Sequence, residues 1–245
     1  MKAIILCAGY GTRMEPYTKR YQKVMIPIHG KAILDYLIQS IKKSGISDFI
    51  IVVGYKKEQI MNHLKDGRKF GISVEYITQE KLNGTGGALL ICESYIKDSH
   101  FFLTWGDTLV TPGIYKEVVK LREIENEDFI MVANRVDDPY KGAAIYLEGN
   151  YCKQIIEKPA RGTSDTNLNN AGIFILQEDI FDILKTQKPS KRGEIEVPET
   201  ISNGIKNLNW KIKVVQMRKN DFYADFGDKK QFENLKIDKN WLKLF

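Results

Sequence analysis

Two cationic side chains follow a glycine-rich loop near the start of the chain. The apolar run Ala3–Ile5 leads into Leu6-Cys7-Ala8-Gly9-Tyr10-Gly11-Thr12-Arg13-Met14, and Lys23 lies ten residues after Arg13. A buried strand that ends in glycines lets backbone N–H groups approach an anion closely, and fixed positive charge strengthens the attraction. The segment therefore predicts a phosphate-binding loop, with a tight turn flanked by two surface cations as the alternative.

Two better-known glycine loops do not fit this segment. The dinucleotide-binding fingerprint needs a glycine or alanine at its sixth position, where the chain has the bulky Met14. The loop of P-loop nucleotidases closes on Gly-Lys-Ser/Thr, and no such triplet closes this one. The segment therefore matches neither of these two phosphate-binding loops.

Two aspartates follow aromatic, strand-like runs. Asp107 comes after Phe101–Trp105, and Asp225 comes after Phe222–Ala224. Ligands bind at the carboxyl ends of strands in open α/β sheets, and Mg²⁺ is usually held by one or two carboxylates plus substrate phosphates. The pair therefore predicts a Mg²⁺ site, although an aspartate such as Asp107 also commonly caps a turn.

A second glycine cluster and a charged strand end complete the candidate residues. Gln79-Glu80-Lys81-Leu82-Asn83-Gly84-Thr85-Gly86-Gly87-Ala88-Leu89 lies between a strand and a helix expected to begin near Gly87. Its glycines would let the backbone approach a flat nucleobase, and the Gln79 amide could pair with a pyrimidine edge. Glu157-Lys158-Pro159 ends another strand, where neighbouring side chains should face opposite ways.

In order along roughly residues 1–230, these segments resemble the signature of the sugar-1-phosphate nucleotidylyltransferases, or nucleotide-sugar pyrophosphorylases. The first loop reads Gly-x-Gly-Thr-Arg-Met-x-Pro-x-Thr, as in that family, and the distance from Gly11 to Pro27 fits without a gap. The chain departs from the pattern at Gln22, where the family usually has proline, at Cys7-Ala8, and at Asp228, where it often has threonine.

The resemblance implies a role for each candidate residue. Arg13, Lys23, Asp107 and Lys158 would be catalytic, and Asp107 with Asp225 would bind Mg²⁺. The nucleotide would be bound by Leu6, Ala8, Gly9, Gly11, Thr12, Gln79, Gly84 and Thr85. The sugar phosphate would be bound by Gly142, Glu157, Lys158, Asn170 and Arg192. Without the resemblance, Asn170 would be interpreted as a turn residue and Arg192 as part of a mobile surface loop.

The implied reaction joins a nucleoside triphosphate and a sugar 1-phosphate into a nucleotide-sugar and pyrophosphate. The resemblance implies UTP or dTTP, because Gln79 and Gly84 keep the spacing of the family's uridylyl- and thymidylyl-type members. Two alternatives stay open: a guanylyltransferase acting on mannose or heptose 1-phosphate, and a non-catalytic regulatory protein that binds nucleotide-sugars. The histidines His29, His63 and His100 are expected in surface or loop positions, and no serine or cysteine has an evident base partner.

Alternating strand and helix patterns must position these residues. Short apolar, β-branched runs predict strands over Ala3–Cys7, Phe49–Val53, Ser73–Ile77, Phe101–Trp105 and Phe129–Ala133. Helical spacing marks the segments around Ile33–Ile41 and Ile114–Leu121, and Glu148-Gly149-Asn150 indicates a hairpin between Ala143–Leu147 and Cys152–Ile156. We expect a doubly wound α/β fold with a mixed, mostly parallel, Rossmann-like sheet and an α+β sugar-binding lobe.

The composition fits one nucleotidyltransferase domain over residues 1–245, with a nucleotide-binding half (1–135) and a sugar-binding half (136–245). The chain has 245 residues, 43% of them hydrophobic, and a net charge of +6 that suits anionic ligands. The sequence has no basic runs interleaved with aromatics, so we expect no nucleic-acid partner. It has no apolar span of about 20 residues and no recognisable signal peptide, so we expect no membrane partner and a cytoplasmic location. The three cysteines are expected to be reduced. The apolar tail Trp241–Phe245 would dock on the body or on a second subunit of a homo-oligomer.

Overall fold

The protein is described by a computed structural model that covers residues 1–125 and 127–245. The strands are β1 (Ala3–Cys7), β2 (Pro27–Ile28), β3 (Lys31–Ala32), β4 (Asp48–Val53), β5 (Ser73–Thr78), β6 (His100–Trp105), β7 (Thr108–Val110), β8 (Phe129–Arg135), β9 (Ala143–Glu148), β10 (Tyr151–Glu157), β11 (Leu168–Gln177), β12 (Ile212–Gln216) and β13 (Tyr223–Asp225). The helices are α1 (Tyr17–Arg20), α2 (Ile33–Lys42), α3 (Lys57–Leu64), α4 (Thr85–Leu90), α5 (Pro112–Glu125), α6 (Ile180–Thr186), α7 (Val197–Leu208) and α8 (Lys229–Ile237).

The chain divides into two compact units. The first unit comprises residues 1–82, 104–117 and 221–245, and the second comprises residues 83–103 and 118–220. Both are built from strands and helices, which confirms the predicted α/β class with a mixed sheet. In the part of the chain that the structure describes, no helix is long and apolar enough to cross a membrane.

Parallel strands form the centre of the first unit. β1 pairs with β4, and β4 pairs with β5, in parallel registers that place Cys7 opposite Val53 and Val53 opposite Thr78. Almost every residue of β1 and β4 is buried, as expected for parallel strands covered on both faces. Their carboxyl ends share one edge, so the glycine loop after β1 and Gln79 after β5 leave the sheet on the same side.

A short antiparallel ribbon in the first unit carries the two predicted metal ligands. β7 pairs with β13, and Asp225 lies opposite Thr108. The Gly106 N–H donates to the Leu6 carbonyl at 3.0 Å, which anchors the segment before β7 to the end of β1. The Phe226 N–H donates to the Asp107 carbonyl at 2.8 Å. Residues more than 100 positions apart in the chain are thereby brought together.

The second unit contains both parallel and antiparallel strand pairs. β8 is antiparallel to β11 and parallel to β12, and β10 is antiparallel to both β12 and β9. The predicted hairpin is thus present as β9 and β10. Helices α4, α6 and α7 pack against one another, and α7 also covers β10. This packing places the amino end of α4 beside the chain that leads into α7.

Several sequence expectations need correction. Asn170, expected in a turn on local grounds, lies in the buried strand β11, because pairing with β8 opposite Ala133 overrides its preference for turns. α4 begins at Thr85 instead of near Gly87. His100 is a buried strand residue that contacts Ser99 and Asp128, not a surface histidine.

Trp241 of the apolar tail and the three cysteines lie in the interior. Trp241 is 4% exposed and stacks on Phe222, with ring centroids 5.6 Å apart, so the tail docks on its own chain within the first unit. Cys7, Cys92 and Cys152 are free and buried, as expected for core thiols.

Candidate active site

The phosphate loop after β1 turns back toward Lys23. Gly11 has φ +66°, a conformation that favours glycine, and a Cβ there would stand 3.1 Å from the Cβ of Lys23. The Gly11 carbonyl accepts hydrogen bonds from the Met14 N–H at 2.9 Å and from the Thr18 hydroxyl at 3.1 Å. The loop is therefore a fixed turn that brings the glycines beside the lysine.

Gln22 anchors the segment that carries Lys23. Its side chain, in a residue only 1% exposed, donates to the Cys7 carbonyl and accepts from the Val24 N–H, each at 2.6 Å. Its φ of −62° is the value that proline would fix. Glutamine thus keeps the backbone expected of the family's usual proline, and its side chain ties the lysine segment to the end of β1.

Lys23 and Asp107 form an ion pair in the first unit. The Lys23 ammonium contacts Asp107 Oδ2, and the two side chains are 19% and 16% exposed. Burial alone would raise the pKa of Asp107, but the Lys23 ammonium, with a smaller contribution from Arg13, holds that pKa below its ordinary value. Asp107 is therefore an ionised carboxylate, paired with a cation instead of capping a turn.

Gly227 marks the point where Asp107, Asp225 and Arg13 meet. A Cβ on Gly227 would stand 2.8 Å from Asp225 Oδ1, 2.9 Å from Arg13 Nη2 and 3.1 Å from Asp107 Oδ2. The Gly227 N–H donates to Asp225 Oδ1 at 2.7 Å. Burial and the Asp107 charge together raise the pKa of Asp225. An ionised carboxylate beside a second, buried carboxylate forms a place where a cation would be stabilised.

The carboxylates of Asp107 and Asp225 fit Mg²⁺ better than they fit a metal that is held by protein ligands alone. Among residues 1–125 and 127–245, no group of three or more His, Cys, Asp or Glu side chains is placed to hold a metal. Mg²⁺ typically uses one or two carboxylates and completes its shell with water and phosphate oxygens. The Asp107 and Asp225 pair, whose carboxylate oxygens both lie next to Gly227, supplies that number of carboxylates.

The other nucleotide-binding candidates of the first unit line the carboxyl ends of its strands. Leu6 lies near the end of β1, Ala8 is buried, and Gly9 and Thr12 are exposed. The Ala8 carbonyl accepts from the Tyr55 N–H at 3.0 Å, and the Gln79 N–H donates to the Val53 carbonyl at 2.8 Å. These backbone bonds fix where the loops leave β1 and β5.

Gly84 and Thr85 begin the candidate site of the second unit. Gly84 has φ +100°, and a Cβ there would stand 2.4 Å from the Ile195 carbonyl oxygen, so only glycine fits. The Thr85 hydroxyl donates to Glu196 Oε2 at 2.9 Å and accepts from the Val197 N–H at 3.0 Å. This predicted nucleotide loop is thereby attached to the segment before α7.

Glu157 and Lys158 contribute to one charged cluster. β10 ends at Glu157, and Lys158 has φ +44°, outside the strand conformation. The Lys158 N–H donates to the Gly142 carbonyl at 2.7 Å. Its ammonium lies 3.6 Å from Glu157 Oε1 and 3.8 Å from Glu196 Oε1. The expectation of opposite-facing neighbours fails here, because the positive φ turns Lys158 toward Glu157.

Arg192 belongs to the same cluster. Its guanidinium donates to Glu196 at 2.8 Å and to Glu194 at 3.2 Å, and it lies 3.8 Å from Glu157. Burial and the Glu196 charge raise the pKa of Glu157 to about 7, although Lys158 and Arg192 oppose that shift. Arg192 is thus held by ion pairs, in contrast to the mobile loop that its local sequence indicates.

Glu196 is the residue of this cluster that the sequence did not single out. Its side chain is 6% exposed and contacts Thr85, Lys158 and Arg192. The only sequence feature that could have indicated Glu196 was its position four residues after Arg192. Its contact with Thr85 joins residues 111 positions apart, so it corresponds to no local sequence pattern.

Asn170 interacts mainly with its own strand. Its side-chain oxygen accepts from the Gly172 N–H at 2.8 Å, within the irregular part of β11. The adjacent Asn169 bridges strands instead, because it donates to Asn134 and accepts from the Ala143 N–H. Four of the predicted sugar-phosphate residues are thus connected by contacts: Gly142, Glu157, Lys158 and Arg192.

Known proteins resemble this chain over most of its length. The chain is 39% identical over 208 residues to the bifunctional protein GlmU of Methanococcus maripaludis strain S2, covering 84% of this chain and 47% of that protein. It is 31% identical over 202 residues to the glucose-1-phosphate thymidylyltransferase of Streptomyces griseus, covering 82% of this chain and 56% of that protein. The chain spans about half the length of the curated relatives it matches.

Solved structures and family membership agree. A crystal structure of UDP-glucose pyrophosphorylase complexed with UDP-glucose superposes with a TM-score of 0.86 and 26% identity, covering 99% of this chain and 98% of that one. Residues 2–239 match the Nucleotidyl transferase family. The chain therefore belongs to the nucleotidyl transferase family of sugar-phosphate nucleotidyltransferases.

Proposed function

We propose that this chain makes a nucleotide-sugar and pyrophosphate from a nucleoside triphosphate and a sugar 1-phosphate. The observation that carries the proposal is the convergence of Arg13, Asp107 and Asp225 on Gly227, with Lys23 paired to Asp107. This set offers cations to a polyphosphate and paired carboxylates to a metal. Such a combination suits phosphoryl-type transfer, in which positioning and electrostatics supply most of the catalysis.

The proposed step needs no covalent enzyme nucleophile. A phosphate oxygen of the sugar 1-phosphate attacks the α-phosphorus in line and forms the new pyrophosphate linkage. The bond from the α-phosphorus to the oxygen bridging to the β-phosphate breaks, and pyrophosphate leaves with that electron pair. We assign Arg13 to the leaving pyrophosphate and Lys23 to the reacting phosphates, where fixed cations offset the repulsion between two anions.

Asp107 and Asp225 would hold Mg²⁺ in this proposal. When bound, the ion would neutralise phosphate charge during the transfer. The chain's own contribution is to keep Asp107 ionised through Lys23 and to let the Asp107 and Asp225 side chains approach each other over Gly227, which has no Cβ. In the second unit, we assign Lys158 and Arg192 to the sugar phosphate and Glu157 to sugar hydroxyls.

UTP or dTTP is the proposed nucleotide. Gln79 and Gly84 resemble the base-contacting pair of the family's pyrimidine-specific members, and two similar proteins carry names that refer to thymidylyl transfer and UDP-glucose. A guanylyltransferase acting on mannose or heptose 1-phosphate and a non-catalytic nucleotide-sugar-binding protein are the competing functions.

A pyrophosphate-release assay over a grid of triphosphates and sugar 1-phosphates tests the proposal. We expect release with UTP or dTTP, dependent on Mg²⁺. Release with GTP as the sole active triphosphate would favour the guanylyltransferase. Binding of a nucleotide-sugar without release in any combination would favour the non-catalytic protein and overturn the proposal.

A further inference from the structure

We propose that Glu196 is a positioning residue that couples the Gly84–Thr85 loop to the two sugar-phosphate cations, Lys158 and Arg192. The inference rests on the proposed function, because it takes these cations as the ligands of the sugar phosphate. All of these residues belong to the second unit.

The two oxygens of the Glu196 carboxylate face different partners. Oε2 accepts from the Thr85 hydroxyl at 2.9 Å. Oε1 accepts from Arg192 Nη2 at 2.8 Å and lies 3.8 Å from Lys158 Nζ. A carboxylate bound through both oxygens has a fixed orientation, and charge-assisted hydrogen bonds of this type are about twice as strong as neutral ones.

The backbone beside Glu196 clamps the same loop. The Ile195 N–H donates to the Asn83 carbonyl, and the Ile195 carbonyl accepts from the Gly86 N–H, each at 2.7 Å. The Thr85 hydroxyl also accepts from the Val197 N–H. Residues on either side of Glu196 therefore hold the loop, so a movement of the loop must be transmitted to the Glu196 side chain.

Burial makes Glu196 the fixed member of the cluster. Its side chain is 6% exposed, whereas the side chains of Lys158 and Arg192 are 42% and 39% exposed. Long, exposed cations have many rotamers, and contact with a buried, oriented carboxylate selects the few that lie beside the loop. Glu194 also contacts Arg192, but it is 38% exposed and its pairing with Arg192 involves Nε alone.

The test is a double-mutant cycle on Thr85 and Glu196. Thr85→Val removes the hydroxyl that orients the carboxylate, and Glu196→Gln removes the charge that holds the cations. We expect each variant to raise the KM for the sugar 1-phosphate about tenfold and to lower kcat, because misplaced cations orient the reacting phosphate poorly. The double variant should be no worse than Glu196→Gln alone, since both changes break the same link.

Two controls separate coupling from general damage. Thr85→Ser keeps the hydroxyl and should restore the KM to near the wild-type value. Glu93→Gln removes a charge whose partner is Lys185, outside this cluster. It should leave the KM near the wild-type value, and its effect should add to that of Thr85→Val. Thermal melting of every variant verifies folding. Additive effects in the Thr85 and Glu196 cycle, or an unchanged KM for the sugar 1-phosphate in Thr85→Val, would overturn the inference.

Calorimetric titration with glucose 1-phosphate gives a readout that does not depend on turnover. We expect the same non-additive pattern in the Kd. If the wild-type chain binds glucose 1-phosphate but releases no pyrophosphate, the proposed function is wrong, and the Kd cycle still decides whether Glu196 couples the two groups. If the wild-type chain binds no glucose 1-phosphate and also turns over no sugar 1-phosphate, both proposals are wrong.

Discussion

The Asp107 carboxylate is held in its ionised form by Lys23, and this sets up the first residue-scale prediction. Asp107→Asn keeps the shape of the side chain but removes the charge that pairs with Lys23 and would bind Mg²⁺. We expect kcat to fall by about 10²–10³ at saturating substrates, the usual cost of losing one preorganised electrostatic contact. A titration of turnover against Mg²⁺ is the measurement. Near-normal turnover at the wild-type Mg²⁺ concentration would contradict the metal assignment.

Glu157 gives a pH-dependent prediction at the same scale. Its pKa is about 7 in the folded chain, against an ordinary value of 4.5, because of burial and the nearby Glu196 charge. Between these two values the folded state binds a proton that the unfolded state has released. The free energy of unfolding therefore falls as the pH rises through this window, by about 3 kcal/mol in total on the linkage relation.

Glu157→Gln should remove this dependence. We expect the difference in unfolding free energy between the variant and the wild type to change between pH 4.5 and 7 in favour of the variant at the higher pH. Urea unfolding at several pH values measures it. A difference that stays constant over this range would contradict a raised pKa for Glu157.

The turn after β13 controls the metal-binding candidates at the scale of elements. A methyl group on Gly227 would enter the space shared by Asp107, Asp225 and Arg13. The φ of Gly227 is not positive, so alanine is compatible with the backbone. We expect Gly227→Ala to fold with nearly unchanged stability and to lower kcat by about tenfold to 10²-fold, because the carboxylates are displaced.

A matched glycine provides the control for that variant. A Cβ on Gly113, in α5 of the same unit, would meet no atom within 4 Å. Gly113→Ala should leave both kcat and the melting temperature near their wild-type values. Equal kcat values for the two variants would show that displacing the side chains around Gly227 does not affect the reaction.

The end of the chain stabilises the first unit as a whole. Trp241 packs on Tyr36, Phe222 and Phe226, and its indole N–H donates to the Leu235 carbonyl at 3.0 Å. We expect Trp241→Ala to lower the free energy of unfolding by about 3–5 kcal/mol, the usual cost of emptying a buried tryptophan site. Urea unfolding measures the loss. Leu244→Ala, at a residue 44% exposed in the same tail, should lower the free energy of unfolding far less. Equal losses for the two variants would contradict the expectation that the buried Trp241 side chain stabilises the unit.

Local patterns were enough for much of the first unit. β1, β4 and β5 were predicted to within one residue at each end, because short buried strands carry a continuous apolar, β-branched pattern. α2 was predicted from its apolar face; it ends at Lys42, and Gly45, with φ +102°, follows three residues later. The glycine loop with Arg13 and Lys23 was recognised for the same reason, since its residues are close in sequence.

Predictions from local sequence failed where pairing between distant strands or an unusual backbone angle sets the conformation. Asn170 has a local preference for turns, yet it lies in β11, where it pairs with β8. Hydrogen bonds between the strands and burial outweigh a strand-propensity difference of about 1 kcal/mol. Lys158 was expected to follow the alternation of a strand, but its positive φ ends that alternation.

The sequence by itself determined the family-like order of motifs and the identity of the charged residues available to phosphates. The tertiary structure decided which of them meet: Asp107 with Asp225, and Thr85 with Glu196. Each of these pairs is separated by more than 100 residues. Their contact depends on strand pairing and helix packing along the whole chain. Because no fixed sequence spacing corresponds to such a contact, the pairs could not be identified from the sequence.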